Sequence, residues 1–191
     1  MTTIVGLGGS LRRASLNTGL LRAAAELAPV GTTVYVHGIG GIPLYDGDLE
    51  EAEGVPPAVT ALKNAIAAAD GLLIATPEYN SSIPGVLKNA IDWLSRPGTD
   101  IARVFGGKPV ALIGASPGGF GTVLSQAAWL PVLRLLGAAP WFGTTMTVAR
   151  AGKLFDAEGN LADGEARERL AALLVKFVAS IERGNGAAGE D

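Results

Sequence analysis

Near the start of the chain, residues 6–17 read GLGGSLRRASLN. Gly8 and Gly9 permit a tight backbone turn, Ser10 and Ser15 supply hydroxyls, and Arg12 supplies a fork of donors, all just ahead of a stretch with helical character. The amino end of a helix carries unpaired N–H groups and a partial positive charge, so the combination is a cradle for an anion, above all phosphate. A glycine turn with a serine cap and two solvated arginines is the alternative, and the density of donors favours phosphate. A dinucleotide fits poorly. After Gly6 and Gly8, Leu11 occupies the third glycine position of G-x-G-x-x-G, and the second apolar run ends in His37 and Gly38 with no acidic ribose ligand. The Gly-Lys-Ser/Thr of a Walker loop is missing. A mononucleotide phosphate fits what is left.

A second constellation lies in residues 76–93, TPEYNSSIPGVLKNAIDW. Pro77 halts the apolar run before it and Pro84 delays the helix after it, so Glu78, Tyr79, Asn80, Ser81 and Ser82 must form a short loop. Such a loop presents main-chain amides and an aromatic face together. An isoalloxazine ring asks for both, because its pyrimidine edge is a row of donors and acceptors while its faces want flat cover. Glu78 is expected to be a structural acceptor or a subunit contact, not an acid or base. Taken alone, the motif is equally compatible with an ordinary strand-to-helix turn.

A third, GASPGGFGT at residues 114–122, matches the G-x-S-x-G nucleophile elbow through Gly114, Ser116 and Gly118. Its chemistry fails. An oxyanion hole uses the amide of the residue after the nucleophile, and Pro117 has no N–H. The triad also needs a histidine downstream of the serine, and the single histidine, His37, lies upstream. Gly118 and Gly119 instead allow a flat ligand close to the backbone.

The elements that must carry these loops alternate regularly. Apolar or β-branched runs at 3–7, 33–36, 72–75 and 110–115, with a weaker one at 141–149, read as strands. Helical patterns cover 16–27, 57–69, 86–94, 122–136 and 165–182. Helices between successive strands imply parallel pairing with both sheet faces buried. The expectation is a flavodoxin-like three-layer α/β/α sandwich with a five-stranded parallel sheet in the order 2-1-3-4-5. Ligands then bind beyond the carboxyl ends of the strands, where all three loops fall. A chain of 191 residues that is 48% apolar can bury one core, so residues 1–183 form a single domain, and 184–191, GNGAAGED, a flexible tail.

Composition removes several classes of function. The net charge of −3 gives no case for nucleic acid, and no basic helix suggests a membrane surface. Residues 109–133 carry no charge, but glycines and prolines interrupt them, so they do not form one membrane-spanning helix. Without cysteine there are no disulfides, dithiols or thiolate metal sites, and electron transfer requires an organic cofactor. No metal site is read; DAEGN at 156–160 is a surface turn and not a calcium loop. The amino terminus is a strand and not a signal peptide, which gives a cytoplasmic location. Lys63, Lys88, Arg134, Arg167 and Arg169 read as solvated. Residues 129–136 are apolar nearly all round, with Pro131 expected to kink the helix, and suggest self-association.

Together GSLRRASLN, TPEYNSSIPGVLKNAIDWLSRP and GKPVALIGASPGGFG resemble the NAD(P)H-dependent FMN reductases, the flavodoxin-like group that includes quinone, chromate and azo-dye reductases. IPLYDGDLEEAEGVPPAV at 42–59 resembles the quinone and chromate reductase branch. The resemblance implies that Ser10, Arg12, Ser15 and Asn17 bind the FMN phosphate. It implies that Pro77, Glu78, Tyr79, Asn80 and Ser81 line the ring and ribityl chain, and that Ser116 and Gly119 close the other side. At Ser81, relatives often carry a larger residue. The implied activity is ping-pong: NADPH or NADH passes a hydride to FMN and leaves, and a quinone, chromate, azo or flavin acceptor takes two electrons, with no essential side-chain acid or base. Family members are commonly homodimers or homotetramers. A flavin-binding electron carrier without NAD(P)H turnover is the second reading, and a hydrolase using Ser116 the third.

Overall fold

Every residue of the third strand, GLLIA, is buried, because its odd and even side chains enter separate cores on the two faces of one sheet. A strand sealed on both sides has no use for polar alternation, which is why its sequence reads as a plain apolar run. The computed structural model describes residues 1–187. Its strands are β1 (Thr2–Gly8), β2 (Thr32–His37), β3 (Gly71–Ala75), β4 (Pro109–Ala115), β5 (Ala139–Pro140) and β6 (Met146–Val148). Its helices are α1 (Leu16–Glu26), α2 (Gly47–Glu53), α3 (Pro57–Ala68), α4 (Gly85–Leu94), α5 (Ile101–Phe105), α6 (Val123–Leu135) and α7 (Gly164–Ala187). All strand pairs are parallel, in the order β2-β1-β3-β4-β5, with β6 also beside β4. The flavodoxin-like three-layer sandwich is therefore present.

Leu20, Leu21 and Ala24 of α1 share one core with Leu170, Leu174 and Phe177 of α7. On the opposite face, α3, α4, α5 and α6 bury Ile66, Ile91, Trp93, Phe105, Trp129 and Leu133 against Val5, Leu7 and Ile74. The order reverses between β1 and β3, and the crevice at that reversal is where a ligand seats in an open parallel sheet.

Five features differ from the expectations above, the first being the short helix α5, too brief at five residues to show a period. The fifth strand position is not one run over 141–149 but two pieces. Val110 lies opposite Pro140 and Ile113 opposite Met146, so five edge residues face two of β4 and bulge outward. Helix α2 has no buried residue, so no apolar period announced it; its signals were Asp46, whose carboxylate accepts from the Asp48 N–H at 2.9 Å, and Gly54 at φ +76°. Lys63 is not solvated: it is 3% exposed, donates to the carbonyl of Arg96 and pairs with Asp100 at 2.6 Å. Its stem belongs to the core, and only its ammonium reaches a carboxylate. Finally, α7 continues through Gly184 to Ala187, while the rest of the tail lies outside the described residues. Among the described residues, no helix is long and apolar enough to cross a membrane.

Candidate functional site

The loops after β1, β3 and β4 meet at the carboxyl end of the sheet, held together by contacts that only small residues permit. The N–H of Gly9 donates to the carbonyl of Ala75 at 2.9 Å, and a β-carbon on Gly9 would stand 2.6 Å from Leu87 Cδ2 and 3.0 Å from Pro77 Cδ. A β-carbon on Gly114 would overlap Thr122 Oγ1 and the carbonyl of Thr76. These glycines let three loops share one small space.

Between them lies a cavity of about 80 Å³ lined by Ser10, Arg12, Ser15, Leu16, Asn17, Pro77, Glu78, Tyr79, Ala115, Ser116 and Pro117. Its enclosed part admits several water-sized groups, enough for a compact anion, and any larger ligand must extend over the rim. Ser15 caps α1, its Oγ accepting from the Thr18 N–H at 3.2 Å, and Ser10 Oγ accepts from the Arg12 N–H at 3.3 Å. Each hydroxyl keeps its proton for a ligand. The first N–H groups of α1 have no intrahelical acceptor. No ion pair of the described residues engages the exposed Arg12 guanidinium. Hydroxyls, a helix amino end and a guanidinium outside every ion pair make a donor-rich set, which suits a phosphomonoester.

The Asn17 side chain has partners within the chain. It is buried, and its carboxamide accepts the Ala115 N–H and donates to the Ala115 carbonyl, both at 2.9 Å. The side chain thus continues the hydrogen-bonding of β4 and locks α1 to it. What Asn17 can still offer an anion is its main-chain N–H in the first turn of α1.

Glu78 also has a defined partner. Its Oε2 accepts from the N–H groups of Leu124 at 2.9 Å and Ser125 at 3.1 Å, capping α6 from a different loop. A carboxylate is suited to that place, since it satisfies orphan donors and opposes the helix dipole. Beneath it, the Thr76 hydroxyl donates to the Pro77 carbonyl at 2.9 Å and contacts Ser125 Oγ at 2.8 Å and Trp129 Nε1 at 3.0 Å. Because Thr76 has one proton, the Ser125 hydroxyl and the Trp129 indole must be donors to it. This buried polar cluster fixes the base of the loop after β3, and no local sequence pattern marked it.

Beyond Pro77 the loop turns tightly. Tyr79 and Ser82 exchange N–H···O bonds of 3.2 and 3.1 Å around Asn80 and Ser81, at φ +50° and +59°. Two consecutive left-handed residues are the pattern of a primed hairpin turn, which asparagine tolerates well and serine less so. The turn leaves the Tyr79 ring half exposed at the cavity rim. Asn80 and Ser81 lie at its tip and do not line the cavity, and neither does Gly119. Ser116 does: its N–H donates to the Val148 carbonyl at 2.9 Å, while its Oγ accepts from the Gly118 N–H at 3.1 Å. Arg150, which sequence reading passed over, follows the last strand at φ +48°; its N–H donates to the Gly118 carbonyl, and its guanidinium lies beside Gly119. The only hint was a basic residue just past a strand's carboxyl end.

The hydrolase arrangement is absent. His37 ends β2 and Ser116 follows β4, with β1 and β3 between. At about 4.8 Å per strand the two are separated by roughly 14 Å.

Helix α4, which follows the turn, is braced from outside. The Pro43 carbonyl accepts from Asn89 Nδ2 at 2.8 Å and from Trp93 Nε1 at 2.9 Å. Glu50 accepts from Tyr45 Oη at 3.0 Å and from Arg96 Nε at 2.8 Å. The Arg96 hydrogen bond holds the Glu50 carboxyl below its usual range, and the bond to Glu50 raises the Tyr45 phenol. Residues 42–59 therefore support α4.

Comparison with known proteins finds one matching family and several similar chains. The family model for NADPH-dependent FMN reductase matches residues 2–153. A Pseudomonas aeruginosa protein named NAD(P)H-dependent FMN reductase is 46% identical over 165 residues, 86% of this chain and 87% of that one. A Burkholderia 2-hydroxy-1,4-benzoquinone reductase is 43% identical over 171 residues, 90% of this chain and 91% of that one. Among solved structures, FerB, a flavoenzyme NAD(P)H:(acceptor) oxidoreductase from Paracoccus denitrificans, superposes with a TM-score of 0.83 at 34% identity, covering 96% of this chain and 98% of its own.

Proposed function

The chain belongs to the NADPH-dependent FMN reductase family, and on that premise we propose that it is a ping-pong oxidoreductase whose acceptors are quinones, chromate, azo compounds or free flavin. It is an enzyme with FMN as cofactor and NAD(P)H as reductant. The observation that carries the reading is the donor-rich cavity at the β1/β3 reversal, with an unpaired arginine on one side and the Pro77–Tyr79 stretch on the other. Quinones are placed first among acceptors because the Burkholderia relative bears a quinone reductase name.

When bound, FMN supplies the two-electron chemistry, accepting a hydride from NAD(P)H and passing the electrons on. The chain's own residues orient it. Arg12, Ser10, Ser15 and the amino end of α1, including the Asn17 N–H, would hold the phosphate. Pro77, Tyr79, Asn80 and Ser81 would offer main-chain groups and an aromatic face to the ring and ribityl chain. Glu78 holds that loop against α6, and Ser116 and Gly119 bound the opposite side. No side chain is assigned a proton transfer.

We also infer a homodimer or homotetramer, supported by the exposed apolar side chains Phe120, Leu124 and Leu135 on and before α6. Light scattering behind a sizing column tests it: a monomer at micromolar concentration contradicts it. The function itself is tested by steady-state oxidation of NADPH and NADH against a panel of benzoquinone, chromate, an azo dye and free FMN. Turnover with benzoquinone supports the reading. Protein that holds FMN yet turns over none of the panel is a carrier.

A further inference from the structure

The bulge that splits the edge strand creates a second cavity, of about 290 Å³, separate from the site at the β1/β3 reversal. None of its lining residues is shared with that site. Its walls include Val110 and Leu112 of β4, Leu130 of α6, and Pro140, Trp141 and Phe142 at the edge of the sheet. No charged side chain lines it. A dry apolar cavity of about 150 Å³ already admits benzene, so this one has room for a substituted ring.

One amide oxygen in the wall lacks a partner. Gln126 is 9% exposed, and its Nε2 donates to Thr122 Oγ1 and to the Met146 carbonyl, both at 3.0 Å. A carbonyl oxygen can only accept, so the nitrogen must face Met146, which fixes the orientation of the amide. Both amide protons are then used, while Oε1 accepts no hydrogen bond from the described residues. Nor is Oε1 sealed away: no buried side-chain oxygen among those residues is left unpaired, so this one is open, and the opening Gln126 lines is the cavity. Hydroxyls of Thr144, Thr145 and Thr147 also line the wall and can donate or accept, but a largely buried amide oxygen can only accept, so it selects for a ligand that brings a donor.

We propose that this cavity is a binding site for a small neutral aromatic molecule carrying a hydrogen-bond donor, of the phenol class, with the ring among Leu112, Leu130 and Trp141 and the hydroxyl donating to Gln126 Oε1. Charged ligands are excluded because the wall offers no counter-charge. Benzenoid compounds that only accept hydrogen bonds leave Oε1 unpaired and bind more weakly. The proposal does not rest on the flavin chemistry.

The test uses the full chain saturated with FMN, so that the first site is filled, titrated with phenol and separately with toluene and followed by NMR. Phenol is expected to bind at one site, with nuclear Overhauser contacts from its ring protons to the methyls of Leu130 and Thr147. Toluene is expected to bind about five-fold more weakly, the equivalent of one net hydrogen bond. Ala127→Phe, which places a ring at the exposed rim without touching the Gln126 bonds, should weaken phenol at least ten-fold and leave FMN affinity unchanged. Gln126→Leu should equalise phenol and toluene; where that variant fails to fold, Ala127→Phe carries the test. Absence of saturable phenol binding overturns the proposal, as it would if a second copy of the chain filled the cavity. Equal affinity for phenol and toluene in the unaltered protein, or phenol binding unmoved by Ala127→Phe, overturns it too.

Discussion

Replacing Arg12 by alanine separates the phosphate from the rest of the flavin. Arg12 lines the site cavity, and no ion pair of the described residues engages its guanidinium, so a phosphate there meets a charge that nothing else neutralises. A charge-assisted hydrogen bond contributes about 1.5–3 kcal/mol when well shielded. Arg12 is exposed, and solvent screening reduces this to about 1–2 kcal/mol, which corresponds to a loss of about 5- to 30-fold in affinity. Ser10, Ser15 and the α1 amides remain, so binding weakens without disappearing. The assay is a fluorescence-quench titration of wild type and Arg12→Ala with FMN and, in parallel, with riboflavin, which lacks the phosphate. Only the FMN curve should move, and it should move less as salt rises. An unchanged FMN affinity, or an equal loss for riboflavin, would refute the assignment of Arg12 to the phosphate.

Glu78→Ala removes the acceptor of two N–H groups at α6 and should cost about 0.5–2 kcal/mol, read as a fall in Tm of a few degrees. Glu78→Gln keeps one acceptor oxygen and should lower kcat less than ten-fold, whereas a loss of 10²-fold or more would mean that Glu78 transfers a proton. Asn17→Ala strands the buried N–H and carbonyl of Ala115, at about 1–3 kcal/mol for each group left unpaired, and denaturant midpoints should fall accordingly. Arg103, and after it Lys63, hold the Asp100 carboxyl at about 2, down from 3.8. A depressed folded-state value means that its stabilisation is complete above about pH 4 and is lost as pH falls toward 2. The stability difference between wild type and Asp100→Asn should therefore shrink over that window, and a difference that stays constant down to pH 2 would contradict the pairing.

The parts of this molecule written in its sequence are those whose causes are local. β3 was legible because a strand buried on both faces must be continuously apolar, and the site loops because glycine and proline mark where strands stop and helices wait. Eight of the eleven expected site residues line one cavity, since each loop hangs from the carboxyl end of its own strand. What the sequence did not disclose are pairings across long separations. Asn17 meets Ala115 from 98 residues away, and Glu78 caps a helix 46 residues later. No period or spacing encodes such contacts. The same holds for Lys63, whose charge reads as surface until Asp100 is folded beside it. The split edge strand escaped notice because two- and three-residue strands are too short to carry a pattern.

The most direct test of a single flavin site that meets reductant and acceptor in turn is anaerobic stopped-flow on the FMN-loaded protein. One equivalent of NADPH or NADH should bleach the bound flavin in a single phase without an acceptor present, and one equivalent of benzoquinone added afterwards should restore the colour. Flavin that keeps its colour with either nicotinamide, or that loses it only when benzoquinone is already present, would contradict the account.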